Sequence, residues 1–434
     1  MNFKIHRGTQ EIGGSCVEIW TEKTRILVDF GMPLVEHDGS EFDPKKYAGL
    51  GTKELVSKNI LPDVEGIYKD AAGLINGVLI SHPHQDHYGF VSFLHDDLRY
   101  YLGEASYRII NTANLFVSKD PLFSNHVFIE REKPFVIGDL KITPYWMDHS
   151  AFDAYAFLIE GDEKSIFYSG DFRGHGRKTE AYQRFLRYAP KNVDYLLLEG
   201  TMIGRSISRE KTEDELQTNF EVLFKQNKLN LVSVSGQNID RLVSIYKACN
   251  AAGKTLVIDP YIANILKDAA RFARIMHPSH SFSNIKVLFP WFLTGRMLDA
   301  KHEELIFPLT PFKIVREEIN QDPGKYAVCI RPSLKFELEQ MPNIGGGNHI
   351  YSQWEGYLKK DYTKKIVDYL ANRGYAFHQI HTSGHADIPT LKEFVNAIQP
   401  KHIVPIHTFG GGEYGRIFDT PVKELKDGED FQIN

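Results

Sequence analysis

Within six residues, His82-Pro83-His84-Gln85-Asp86-His87, the chain sets three imidazoles and a carboxylate. This is the densest group of transition-metal ligand types in its 434 residues. Imidazole nitrogen and carboxylate oxygen suit a borderline cation such as zinc. Residues 75–80, just before, form an apolar run that reads as a buried strand, and residues past a strand's C-terminal end can converge on one point. Two zinc ions need more donors than one turn offers, because each takes four or five and the pair shares a bridging group. Further candidates follow strands in the same way. His149 comes after 140–144, and His407 ends 402–406. Asp171 follows 165–169 in Ser169-Gly170-Asp171, where the glycine lets the backbone turn sharply and leaves the carboxylate at a sheet edge.

The elements that must position these residues differ between the two halves of the chain. The first half reads as strands joined by turns: 25–30 ends in Asp29-Phe30-Gly31, and 154–160 is linked to 165–169 by Gly161-Asp162. From about residue 205 the pattern becomes helix at 216–226, strand at 231–235, helix at 239–251 and strand at 255–258, which argues a parallel sheet with covering helices. After 375 the chain returns to short strands and turns. A length of 434 residues exceeds one ordinary hydrophobic core. The expected division is therefore 1–203, an inserted domain at 204–375, and a completing part at 376–434. The segment 343–348, with Gly345, Gly346 and Gly347, reads as an exposed loop.

The apolar fraction of 42% and charged fraction of 25% are those of an ordinary globular protein. The start, Met1 to Arg7, lacks a signal-peptide stretch, and no apolar run approaches the ~20 residues of a membrane span. A cytoplasmic protein without membrane contact is expected. Cys16, Cys249 and Cys329 lie far apart in apolar contexts and read as reduced core residues. A net charge of −5 gives no general attraction to nucleic acid, so a polyanion must be held by a local field. Arg173, Arg177, Lys178, Arg184, Arg187 and Lys191 cluster in one segment and Lys359, Lys360, Lys364 and Lys365 in another, each reading first as a solvated helix face.

Taken together, Asp29, His82, His84, Asp86, His87, His149, Asp171 and His407 resemble the pattern of the metallo-β-lactamase superfamily. The gap of 407 − 171 = 236 residues between two ligands of one ion is similar to the β-CASP branch, whose nucleases carry an inserted domain there. Glu199, His385 in Thr382-Ser383-Gly384-His385-Ala386, and His407 match three marks of that branch, and the string around His385 is especially close to the ribonuclease J type. That type has an aspartate where Glu199 stands, and a further domain after the last ligand. The resemblance implies an α/β fold, an αββα sandwich with an inserted parallel-sheet, Rossmann-like domain. It implies two Zn2+ ions, with Mn2+ as an alternative: one held by His82, His84 and His149, the other by Asp86, His87 and His407, with Asp171 bridging and Asp29 orienting the ligand loop.

The activity implied is phosphodiester hydrolysis by an activated water, with Asp86, Glu199 and His385 in catalytic roles and His385 as the acid that protonates the leaving oxygen. Ser383-Gly384 between His381 and His385 disfavours a helical ligand pair, so the next helix is expected to start at Ile388-Pro389, capped by Asp387. His407 at the third mark points to RNA rather than DNA. Single-stranded RNA is the expected partner, with a homodimer as the assembly to test and exo- or endonucleolytic attack left open. Ser383, Gly384 and Ala386 are candidates for a phosphate-accepting turn. Gln237 and Asn238 are candidates for substrate contact, although a helix start explains them equally. Tyr351 and Trp354 can stack bases or pack in a core. The alternatives are a DNA exo- or endonuclease with the same metal site and a hydrolase of small esters, which the large insertion argues against.

Overall fold

The computed structural model describes residues 1–36, 39–69, 75–205 and 209–433. These form two compact units: Met1–Ile110, Pro121–Arg209 and Gly384–Asn434 in the first, Asn111–Asp120 and Glu210–Ser383 in the second.

Among the described residues the first unit contains two sheets. One runs Asp430–Gln432, Asn2–Arg7, Cys16–Trp20, Arg25–Val28, Gly77–Leu79, Tyr100–Leu102, His126–Phe128; the other runs His402–Ile406, Tyr195–Glu199, Lys164–Tyr168, Ala154–Gly161, Leu140–Met147, Phe135–Ile137. Side chains alternate across each strand. Ile26, Val28, Leu79, Phe157, Ile159, Ile166, Tyr168, Leu197, Val404 and Ile406 therefore share one core between the sheets. The opposite faces are covered separately. Leu27, Val78, Ile80 and Leu102 pack with Leu55 and Ile110, while Phe167, Leu196, Leu198 and Ile403 pack with Phe185, Leu391 and Phe394 from helices Thr179–Tyr188 and Ile388–Ile398. The result is the helix–sheet–sheet–helix sandwich expected from the sequence.

Strand direction places the ligands. Arg25–Val28 and Gly77–Leu79 pair in parallel. In the second sheet, Lys164–Tyr168, Tyr195–Glu199 and His402–Ile406 are mutually parallel, and two antiparallel steps bring Leu140–Met147 into the same direction. The residues after these strands, including Asp29, the 82–87 turn, His149, Asp171 and His407, leave from one edge of each sheet. The ligand turn is then stapled down. Its carbonyls at Gln85, Asp86 and His87 accept the amides of Met32, Ser15 and Phe30 at 3.0, 3.1 and 2.8 Å. Such close passage of two backbones requires a glycine: a Cβ on Gly31 would sit 1.7 Å from the Asp86 carbonyl oxygen.

The expected helix after His385 is present as Ile388–Ile398, with Asp387 accepting the Thr390 amide as N-cap and proline in the first turn. Phe394 stacks on Phe172 at 4.2 Å and on Phe185 at 4.7 Å, which fixes this helix against the sheet.

The second unit holds a seven-stranded, all-parallel sheet in the order Lys313–Ile314, Ile285–Leu288, Thr255–Ile258, Tyr326–Ile330, Asn230–Ser233, Asn348–Tyr351, Ala376–Gln379. Its helices carry strong stop and start signals. Glu213–Phe224 opens with a Thr212/Glu215 capping box, and Ile239–Ala252 closes on Gly253 at φ 65°. Two segments differ from the sequence expectation. The strand Ala376–Gln379 pairs with Asn348–Tyr351 and so extends the second unit's sheet. Residues 111–120 join this unit because Phe116 is buried against Met297 and Ile306. Among the described residues no helix is long and apolar enough to cross a membrane.

Gly31→Ala should push the 82–87 turn away from its backbone staples. The expected outcome is a melting temperature lower by about 3–10 °C, together with weaker metal binding. An unchanged melting curve and metal titration would disprove the tight passage.

Candidate metal centre

The seven sequence-predicted ligands come together in the first unit. Ligand atoms of His82, His84 and His149 lie within 4.8 Å of one another, as do those of Asp86, His87, Asp171 and His407. Asp171, a member of the second group, also stands beside the first. Its Oδ2 is 3.1 Å from His87 Nε2 and 3.7 Å from His82 Nε2. His149 Nε2 faces His84 Nδ1 at 3.2 Å, and His407 Nε2 faces Asp86 Oδ2 at 3.3 Å.

Four of the rings, those of His82, His87, His149 and His407, have a polar partner on the other nitrogen, as metal-binding imidazoles commonly do. Asp29 takes the His87 Nδ1–H at 2.7 Å and also accepts the Ser81 amide, the Ser81 hydroxyl and the Tyr168 hydroxyl. His149 Nδ1 donates to the Gly384 carbonyl at 2.7 Å. His82 Nδ1 lies 3.0 Å from the Ser81 hydroxyl and His407 Nδ1 2.8 Å from the Thr201 hydroxyl. Asp29 and His407 both adopt left-handed backbone, at φ 61° and 53°. That conformation is uncommon outside glycine, and its appearance here marks strain concentrated at the site.

The donor set fits divalent cations on its own observations. His82 Nε2 and Asp171 Oδ1 are buried and have no hydrogen-bond partner among the described residues, a condition that costs free energy unless something else binds them. Burial, reinforced by neighbouring imidazoles, holds His82 and His149 well below the ordinary histidine pKa, and burial pushes His84 down to about 4. Three neutral rings are therefore ready as ligands. In the other set, burial opposes ionisation of Asp86 and Asp171. Hydrogen bonding from His407 and the nearby rings win, holding Asp86 at about 2 and Asp171 well below its usual range. His87 is the reverse case: burial disfavours its charge, but Asp171 and Asp29 raise its pKa well above the ordinary value. The protonated ring thus bridges the two carboxylates, Nδ1–H to Asp29 and Nε2–H to Asp171, and a cation would compete with the proton on Nε2.

Glu199, fully buried at the end of its strand, accepts the Thr201 and Ala386 amides at 2.9 and 3.1 Å and so ties the His385 turn to the sheet. His385 Nδ1 lies 3.6 Å from Glu199 Oε2 and 3.7 Å from Asp171 Oδ2. Burial works against its charge, and these two carboxylates, Asp171 first, raise its pKa overall.

Several expectations need correction. The Ala386 amide is spent on Glu199, and the Ser383 amide donates to Glu210 at 3.1 Å, so neither serves as a phosphate donor. Asn238 caps its helix by accepting the Arg241 amide, and Gln237 donates to the Tyr261 hydroxyl at 3.1 Å. Tyr351 is buried, which leaves only Trp354 of that pair at the surface. Arg173 is no solvated surface group: it is fully buried with Nε 3.6 Å from Asp148, while Lys178 donates to the His149 carbonyl at 2.8 Å. Sequence reading missed Ser81, Tyr168 and Thr201. A serine, an inward-facing strand tyrosine and a threonine after a strand carry no distinguishing signal in one sequence.

Residues 60–237 match the family model "Beta-lactamase superfamily domain", and residues 374–409 match "Zn-dependent metallo-hydrolase RNA specificity domain". The chain is 26% identical over 428 residues to a ribonuclease J of Helicobacter pylori, covering 94% of this chain and 55% of that protein. It is 25% identical over 218 residues to an RNase J-like protein of Methanocaldococcus jannaschii, covering 46% and 42% respectively. The chain thus spans about half the length of the curated relatives it matches. A crystal structure of a protein of unknown function from Enterococcus faecalis superimposes with TM-score 0.78 at 21% identity, covering 99% of both chains, which shows the fold.

Two outcomes check the centre. Asp29→Asn keeps the left-handed backbone but loses the negative charge and turns one of the two acceptor oxygens that hold Ser81, Tyr168 and His87 into a donor, and divalent-metal affinity should fall about 10- to 100-fold in chelator competition. Because His87 holds its proton beyond the ordinary histidine range, metal loading of the wild type near neutral pH should release protons into weak buffer, and apparent affinity should rise with pH. Loading without proton release would contradict that assignment.

Proposed function

We propose, from the premise that the chain belongs to the metallo-β-lactamase superfamily and its β-CASP branch, that it is a metal-dependent ribonuclease acting on single-stranded RNA. The observation that carries the proposal is the pairing of two adjacent donor sets with a third group, Glu199 and His385, whose ligand-type atoms lie within 4.8 Å of Asp171 and His407. A simple ester hydrolase needs only the first two. The names of its relatives support RNA as the substrate class.

We assign one ion to His82, His84 and His149, the other to Asp86, His87 and His407, and the bridge to Asp171. Zinc is the reading that suits nitrogen-rich donors, with manganese as the alternative. Divalent cations held there supply Lewis acidity toward a phosphoryl group and lower the pKa of water.

The protein's own part is orientation and proton transfer. Asp29 and the Gly384 carbonyl accept the Nδ1–H of His87 and His149, which fixes the orientation of both rings. Buried surroundings exclude bulk water from His82, His87 and Asp171. His385 turns Nδ1 toward Glu199 and Asp171, and we assign it the delivery of a proton to the departing oxygen. Burial works against charge on that ring, and Asp171 and Glu199 together raise its pKa above the ordinary histidine value, the direction an acid needs.

Purified protein given 5′-labelled RNA and DNA strands should cleave RNA preferentially and lose activity with chelator. Equal cleavage of both would move the assignment to a general nuclease. His385→Ala should retain its metal content and lose about 10²- to 10⁴-fold in cleavage rate. Loss of metal instead would place His385 among the ligands, a role its position beside Asp171 also permits.

A further inference from the structure

The second unit contains a cavity of about 350 Å³ unrelated to the metal ligands. This is within the range of small-ligand sites, about 300–1,000 Å³. It lies past the C-terminal ends of two neighbouring parallel strands, Ile285–Leu288 and Lys313–Ile314, against the helix Trp291–Asp299. That helix presents Trp291, Thr294, Gly295 and Leu298 to it, a spacing of i, i+3, i+4 and i+7 that forms one face.

The chemistry of its walls is specific. Leu288, Leu298 and Ile314 make an apolar floor. Trp291 stands at the rim, 68% exposed, with its ring 4.9 Å from that of Phe292, which is 62% exposed; Phe292 in turn contacts Phe336 at 5.4 Å. Three aromatic rings left in water at one place are not explained by packing of the unit. Lys313 and Arg316 bring two cations to the same rim, where Glu317 and Glu337 also stand; Arg316 pairs with Glu337, and Lys313 has no ion-pair partner among the described residues and is the cation open to a phosphate. The Thr294 hydroxyl is buried there without a hydrogen-bond partner among the described residues. The gap itself comes from Gly295, where a Cβ would meet nothing within 4 Å. The Trp291 amide donates to the buried Glu337 at 2.8 Å, and Glu337 also pairs with Arg316 at 3.3 Å, so the aromatic rim and one cation are held on a common anchor.

We propose that this cavity is a nucleotide subsite, taking one unpaired base against Trp291 and the apolar floor, with its phosphate at Lys313, beside Arg316. A planar apolar face with an anion attached is the ligand that uses both the rings and the cations. The source is either one residue of an RNA strand, which rests on the ribonuclease reading, or a free nucleotide, which does not.

The test follows Trp fluorescence and equilibrium binding on the full chain with adenosine monophosphate, with single-stranded oligoadenylate under chelator, and with inorganic phosphate. The expected result is millimolar or tighter binding of the mononucleotide, the oligonucleotide or both, with phosphate alone far weaker. Binding of the oligonucleotide only identifies the RNA strand as the source, and binding of the mononucleotide only identifies a free nucleotide. Gly295→Leu fills the gap with a better helix former, so it should fold and weaken binding at least about tenfold. Trp291→Ala should weaken it about 5- to 100-fold. Both variants should hydrolyse bis(4-nitrophenyl) phosphate as the wild type does, which separates a lost subsite from a lost metal centre. Failure of both nucleotides to bind at 10 mM, unaltered binding by Gly295→Leu, or concentration-dependent self-association through the rings without nucleotide binding would each overturn the proposal.

Discussion

One buried carboxylate, Asp29, is the constraint on which the metal centre depends. It follows a strand of one sheet, accepts a hydroxyl from Tyr168 at the end of a strand of the other, and takes the Ser81 amide and hydroxyl and the His87 ring between them. Four donors thus converge on this carboxylate, one on Oδ1 and three on Oδ2, as many as its acceptor capacity allows. The strand ends of the two sheets are thereby held in register with the ligand turn. A shift of either sheet breaks at least one of these bonds to a fully buried carboxylate, where a lost partner is costly. The left-handed backbone at Asp29 is what lets the side chain turn back under the 82–87 turn, and aspartate tolerates that conformation better than most residues.

The residues that converge on this centre stood out in the sequence because each breaks a local rule. A histidine or aspartate placed where an apolar strand ends has little packing value, so eight such residues in strand-following positions point to one edge of a sandwich. The αββα layers were legible for a related reason: alternation in residues such as Ile26, Leu27 and Val28 assigns opposite faces without further information. The helix from Ile388 could be read to the residue, since Asp387 and Pro389 state its start in backbone terms.

What could not be read depends on partners distant in sequence. Ser81, Tyr168 and Thr201 gain their roles only from contact with Asp29 or His407, and Arg173 looked like part of a basic surface because its burial beside Asp148 is a tertiary fact. Asn238 shows the opposite error. A polar residue near a strand end invited a substrate role, while its side chain was committed to a helix cap. The limits of the second unit failed for the same reason. Ala376–Gln379 and Phe116 are short or ambiguous on their own, and the neighbour that buries or pairs them decides where they belong.

The two donor sets are chemically unequal, and that inequality organises the site. His82, His84 and His149 form a pocket of neutral rings that asks little of an arriving cation except that it replace lost hydration. Asp86 and Asp171 keep their negative charge despite burial, and a charged His87 offsets part of it. Buried charge of this kind is costly unless compensated, so the fold holds the second set in a partly satisfied state in which a proton occupies part of the cation's role. Asp171 belongs to that arrangement and also faces His82 and His385. Neutralising it changes the field at the first donor set and at the acid together. In the proposed reaction, metal binding and proton delivery are thus joined through one side chain, and the division of roles assigned to the histidines rests on which of them Asp171 faces.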